Sequence, residues 1–138
     1  MRRDGHLDPL AVAAVGFVAA NVLHTLDHFR QGLDGLSATI FAGGTTLTVL
    51  AIVVMVMAVR HHPRTAPLAA VVGFSGAVGI ASSHLAPHWS SLSDSYPEIH
   101  ADALSWVVVL LEIGAALMLG IVALRELRQS AAHASGAA

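Results

Sequence analysis

The chain has 138 residues, a formal net charge of −2, 55% hydrophobic and only 12% charged residues, and a mean hydropathy of +0.69. A soluble domain carries about 25% charged residues, so this chain cannot keep a surface wet and lipid is its natural solvent. It has no basic patch suited to nucleic acid, and with no Cys it can form neither disulfides nor thiolate metal sites.

Four apolar stretches, at 10–29, 36–59, 67–85 and 101–124, punctuate the sequence. Each is near the ~20 residues that cross ~30 Å of hydrocarbon as a helix. Barrel strands would be about half as long and would alternate in polarity. The expected fold is all-α: a four-transmembrane-helix bundle within a single domain of residues 1–128. The segment 129–138, rich in Ser and Ala, has nothing to pack and is expected to lack structure.

The first span reads either as a helix or as the core of a secretory signal peptide cleaved after Val18-Ala19-Ala20. The helix is favoured, because the apolar run continues to Phe29 and Asp4, Asp8 and Pro9 crowd the start. Gly32 and Gly35 mark the turn into the second span, and Pro63 and Pro67 bracket the turn into the third. In the third, Gly73, Gly76 and Gly79 offer a small-residue surface for close helix contact. Ser95-Tyr96-Pro97-Glu98 reads as a capping box, with Ser95 as N-cap and Glu98 at N3. The fourth helix is therefore expected to start near Tyr96 and to run unbroken through 97–124. No internal repeat is evident.

All seven cationic residues are Arg; with so much Ala, Val and Gly, this usage suggests a GC-rich bacterial genome. Arg2, Arg3, Arg60, Arg64, Arg125 and Arg128 fall on one side of the spans, and Arg30 alone on the other. The positive-inside rule then puts both termini and the 60–64 turn in the cytoplasm of a bacterial cell, with the protein in its inner membrane. Trp89 and Tyr96 are expected in the aromatic belt at the outer surface, with Trp106 just below it. His61 and His62 are interfacial beside the inner Arg turn, and His6 and His133 carry no signal.

Five of the nine histidines gather at the outer end. Helix 1 ends in His24-Thr25-Leu26-Asp27-His28, helix 3 in His84-Leu85-Ala86-Pro87-His88, and helix 4 opens with His100-Ala101-Asp102. Residues at i and i+4 differ by about 40° around a helix and about 6 Å along it, so His24 and His28 project from one face. Asp27 flanks that face and Asn21 lies one turn deeper. His84 and His88 repeat the spacing, although Pro87 strains helical geometry at Ala86. On a helix begun near Tyr96, Glu98, Asp102, Ser105 and Glu112 share one stripe and His100 points away. Asp102 would then face the bundle in preference to His100.

Imidazole pairs with a carboxylate suit a divalent transition metal such as Zn, Fe or Mn, and also Cu(II). Cu(I) would want sulfur, and Met55, Met57 and Met118 lie at the other end. The candidate ligands are His24, His28, His84 and His88, with Asp27 and Asp102 as carboxylate partners and His100 in reserve. Asp102 and Glu112 are the candidate catalytic groups, an intramembrane carboxylate being functional by default. The bland readings are a neutral imidazole hydrogen-bonded to Asn21, solvated acids at helix ends, and a protonated Glu112 bonded to Asn21 or Thr45.

The paired histidines at His24 and His28 and at His84 and His88 resemble the histidine boxes of membrane di-iron hydroxylases and desaturases. They are also similar to the His/Asp zinc sites of ceramidase-like membrane hydrolases, whose further ligand motifs are missing here. The His24-Thr25-Leu26-Asp27-His28 and Pro87-His88-Trp89-Ser90 segments resemble four-helix integral membrane proteins of actinobacteria, which implies the topology and no activity. Three readings follow. One is a metal-binding protein or small metal-dependent enzyme open to the outside. A second is a b-type cytochrome with haem b between helices 1 and 3. A third is a cofactor-free structural or pH-sensing protein. Association with further copies or a membrane partner subunit is expected for so small a bundle.

Overall fold

A computed structural model describes residues 8–32 and 36–136. Arg2, Arg3, Asp4 and Gly35, to which the sequence assigns roles, lie outside the described residues, as does His6. Four long helices, α1 (Pro9–Gln31), α2 (Ala38–Val59), α3 (Thr65–His84) and α5 (Ala103–Gly136), pack as a bundle. Each is long and apolar enough to cross a membrane. A short helix, α4 (Tyr96–Ile99), precedes α5.

The helix ends follow local chemistry. Asp8 caps α1 by accepting from the Leu10 N–H (3.0 Å), and Pro9 occupies the first turn, where its missing N–H costs nothing. Gly32 closes α1 at φ 95°, a conformation open to Gly because it has no Cβ. Ser37 caps α2 through the Ile40 N–H (3.1 Å). At α3 the Thr65 hydroxyl donates to the His62 carbonyl (2.6 Å), and the helix stops at His84, ahead of Pro87.

The helices form a ring in which α1 packs on α5 and α2, and α3 on α5 and α2, so α1 and α3 face each other diagonally. The tightest pair is α3 with α5. A Cβ on Gly73 would lie 2.6 Å from the Gly120 nitrogen and 2.7 Å from the Ala116 carbonyl oxygen, so glycine alone permits this approach. Gly76 faces Leu47 and Phe17, while Gly79 meets nothing. The core is built largely of small residues (Ala14, Ala51, Ala69, Ala77, Ala116, Ala123) around Phe17, Val54, Val109 and Leu119. Lipid offers no hydrophobic drive for helix association, so close backbone packing has to provide it. The buried residues of α2, Ala51, Val54 and Ala58, all lie in its second half, and its first half stands away from the bundle.

Two expectations change at the fourth helix. The capping box is not made: Ser95 makes no side-chain cap, and the Glu98 carboxylate instead accepts from the His88 backbone N–H (2.8 Å). The unbroken helix from Tyr96 is replaced by the single turn of α4, which ends at His100 in the left-handed region (φ 52°). The break arises because Asp102 supplies a better start. Its Oδ1 accepts from the Ser105 N–H (3.0 Å) and its carbonyl from the Trp106 N–H (3.2 Å), capping α5. The stripe through Glu98, Asp102, Ser105 and Glu112 is thereby divided. At its other end α5 continues to Gly136 through the segment expected to lack structure, since 129–135 contains no Pro or Gly and is rich in Ala.

Candidate metal centre

The three clustered histidines come from two elements. One turn of α1 presents His24 and His28 on the inward face, and the last residue of α3, His84, meets them across the diagonal. The His24 and His28 rings stack with centroids 4.6 Å apart, and His84 lies 4.8 Å from His24 and 5.4 Å from His28. His24 and His84 are buried and His28 half-buried. Among the described residues these three form one group able to hold a metal ion, with ligand atoms all within 4.8 Å of one another. Tetrahedral bonds of about 2.0–2.1 Å place nitrogens roughly 3.4 Å apart, so a bound ion would draw the three rings closer together.

Several ring nitrogens are already engaged, both of them in His24. His24 Nδ1 is paired with the Glu112 carboxylate, and its Nε2 lies 3.2 Å from the Tyr96 hydroxyl. Glu112 also accepts from the Asn21 amide (2.7 Å), whose oxygen accepts from Thr48 (2.8 Å). His84 Nδ1 bonds the Asp94 backbone carbonyl (3.2 Å); a carbonyl only accepts, so this nitrogen carries the proton and Nε2 is left free to ligate. The Asp94 carboxylate lies 3.5 Å from His84 Nδ1 and 3.7 Å from His28 Nδ1. Metal-binding imidazoles characteristically donate their second N–H to a carboxylate or carbonyl, which sets tautomer and orientation. His84 shows that arrangement; His24 has Nδ1 on Glu112 and would exchange the Tyr96 hydroxyl for a ligand at Nε2.

The loop 85–95 delivers Asp94 because it folds back onto the end of α3. The Asp94 N–H donates to the Ser83 carbonyl (2.9 Å) and the Trp89 indole N–H to the Ser82 carbonyl (2.9 Å). Burial alone would raise the Asp94 pKa, but the hydrogen bond and charge of His84, with His28 and His24 beyond it, outweigh that and hold it below the ordinary value. Burial pushes the Tyr96 phenol well above its usual range, so it stays a neutral donor. On the same loop, the Ser95 hydroxyl oxygen is buried and has no hydrogen-bond partner among the described residues.

The other residues singled out from the sequence lie elsewhere. His88 is exposed in the loop beyond Pro87, so His84 and His88 do not form a helical pair, and the histidine-box resemblance narrows to His24 and His28. His100 is exposed at the end of α4. Asp27 is buried but faces Arg30 (2.8 Å) and Gln31 (2.7 Å). Arg30 in turn forks onto Asp102 (2.8 and 3.0 Å) and reaches Ser105 (3.0 Å). This ionic clasp ties α1 to the start of α5, apart from the imidazoles. The carboxylates that do contact the histidines are Glu112 and Asp94. Glu112, a candidate catalytic group by sequence, is fully buried against His24. Asp94 was overlooked: it lies in a loop without periodicity, and only the path of that loop brings it inward. Tyr96, expected in the surface aromatic belt, is fully buried between His84 and Trp106.

No family model, curated protein or solved structure matches the chain.

Proposed function

We propose that this integral membrane protein binds a divalent transition metal between His24, His28 and His84. The observation that carries the reading is the convergence of three imidazoles from two diagonal helices, with the Nδ1 of both buried rings already held by an acceptor. Three nitrogens and an open fourth position suit Zn²⁺, and Fe²⁺ or Mn²⁺ if a carboxylate joins. Asp94 is the nearest acid able to do so, and Glu112 orients His24. A bound metal would lower the pKa of a coordinated water, so a small metal-dependent enzyme and a metal-binding protein are both served by the site. Six arginines against one support an inner-membrane orientation with cytoplasmic termini, in which the histidine end faces outward.

The haem reading is less well served. Two imidazoles across an iron at ~2 Å from each nitrogen have centroids roughly 6 Å apart, whereas those of His24 and His84 are 4.8 Å apart. A cofactor-free reading draws on a different observation, the unbroken hydrogen-bond chain Tyr96–His24–Glu112–Asn21–Thr48. Elemental analysis and a visible spectrum of the detergent-purified protein, native and with His24→Gln and His84→Gln together, separate the three. Stoichiometric metal that disappears in the double variant supports the proposal. A Soret band, or a metal-free protein that keeps its full function after both changes, overturns it.

A further inference from the structure

A cavity of about 420 Å³ is lined by His24, His28 and His84 and extends beyond them along α2. It exists because α2 seats only its second half, so its first half leaves a gap against α1 and α3. Its polar lining includes His24, His28 and Asn21 on α1, His84 on α3 and Glu112 on α5. The α2 wall is made of Ile40, Phe41, Leu47 and Leu50, with Gly43 and Gly44 widening it. The threonines of this wall add little polarity. Thr45 and Thr46 donate to carbonyls one turn back on α2 (both 2.8 Å), and Thr48 donates to Asn21 and Gly44. The gap is bordered by exposed Ser75 and Gly79 on α3, so it opens sideways, where lipid lies, and among the described residues no Arg lines it.

We infer that this cavity binds a single-chain amphiphile with an uncharged hydroxyl or carbonyl head, entering laterally with its chain along α2 and its head towards the imidazoles. The volume falls within the range of small-molecule sites, which are apolar with a few convergent polar groups. The inference deepens the metal reading, since the head would arrive at the proposed ion, but the cavity and its lining stand without one.

The test uses the full chain in nanodiscs of unlabelled phospholipid without added metal, and a monoacylglycerol brominated in its chain as the probe. Trp89 lines the cavity and reports alone in a Trp106→Phe background. Saturable quenching at low probe content is expected. Gly79→Leu, placed where an added Cβ meets nothing within 4 Å, should fill the gap and weaken half-quenching roughly tenfold or more. Gly44→Leu on the facing wall serves as the second variant should the first fail to fold. Quenching that rises linearly and equally in all three proteins would reflect bulk lipid and overturn the inference. So would absence of quenching together with a cross-linked dimer, since a second copy would then fill the gap. Metal stoichiometry is read separately. Probe binding without metal defeats only the metal reading, and metal without saturable quenching defeats only this one.

Discussion

Glu112 illustrates how a single side chain couples the polar interior to the proposed site. It is fully buried, accepts from Asn21 and holds His24. Glu112→Gln keeps the shape but exchanges the carboxyl paired with His24 for an amide, weakening the contact that orients the ring. Losing such an outer partner typically costs ~10–100-fold in metal affinity; titration of the purified variant with Zn²⁺ should show a drop of that order with the stoichiometry retained. Asp102 acts differently, as cap and clasp. The Ser105 N–H and then the Arg30 guanidinium hold its carboxyl down at about 2. A depressed folded-state pKa contributes stability above the unfolded value of 3.8, and that contribution is lost as pH falls towards 2. Asp102→Asn should therefore melt below wild type at neutral pH, with the gap closing as thermal scans are taken from about pH 4 to about pH 2.

At the scale of elements, the bundle depends on how near α3 and α5 can come. Gly73 sits where any Cβ would press on the α5 backbone at Gly120 and Ala116, and backbone cannot swing aside as a flexible side chain can. Gly73→Ala should cost about 1–3 kcal/mol as overpacking. Gly79→Ala on the same helix, in open space, should be neutral or gain up to about 1 kcal/mol from helix propensity. Thermal unfolding of the two variants in one detergent checks the contrast. The sequence marks Gly73, Gly76 and Gly79 equally, and only the packing distinguishes them. The same holds for the acids: Asp27 and Asp102 sit at the expected level of the bundle, yet Arg30 draws both into a clasp. The sequence placed Arg30 there as the lone cation on its side, and that isolation was the available hint of its pairing.

For the whole molecule, the orientation proposed from the arginines is testable because the chain has no cysteine to remove. Single cysteines at Ser91 and at His62 should label from opposite faces of intact cells with a membrane-impermeant maleimide. Ser91→Cys should react from outside and His62→Cys only after lysis; the reverse pattern would invert the topology and turn the histidine end to the cytoplasm. Membrane character, helix number and the level at which the histidines collect all rest on local quantities, namely apolar length, turn residues and i,i+4 spacing, and these can be read along one dimension. Which acids meet the imidazoles could not be read that way. The choice of Glu112 and Asp94 over Asp27 and Asp102 depends on the ring order of the helices, the early stop of α3 before His88 and the fold-back of the 85–95 loop. Each of these is decided by contacts between segments far apart in the chain.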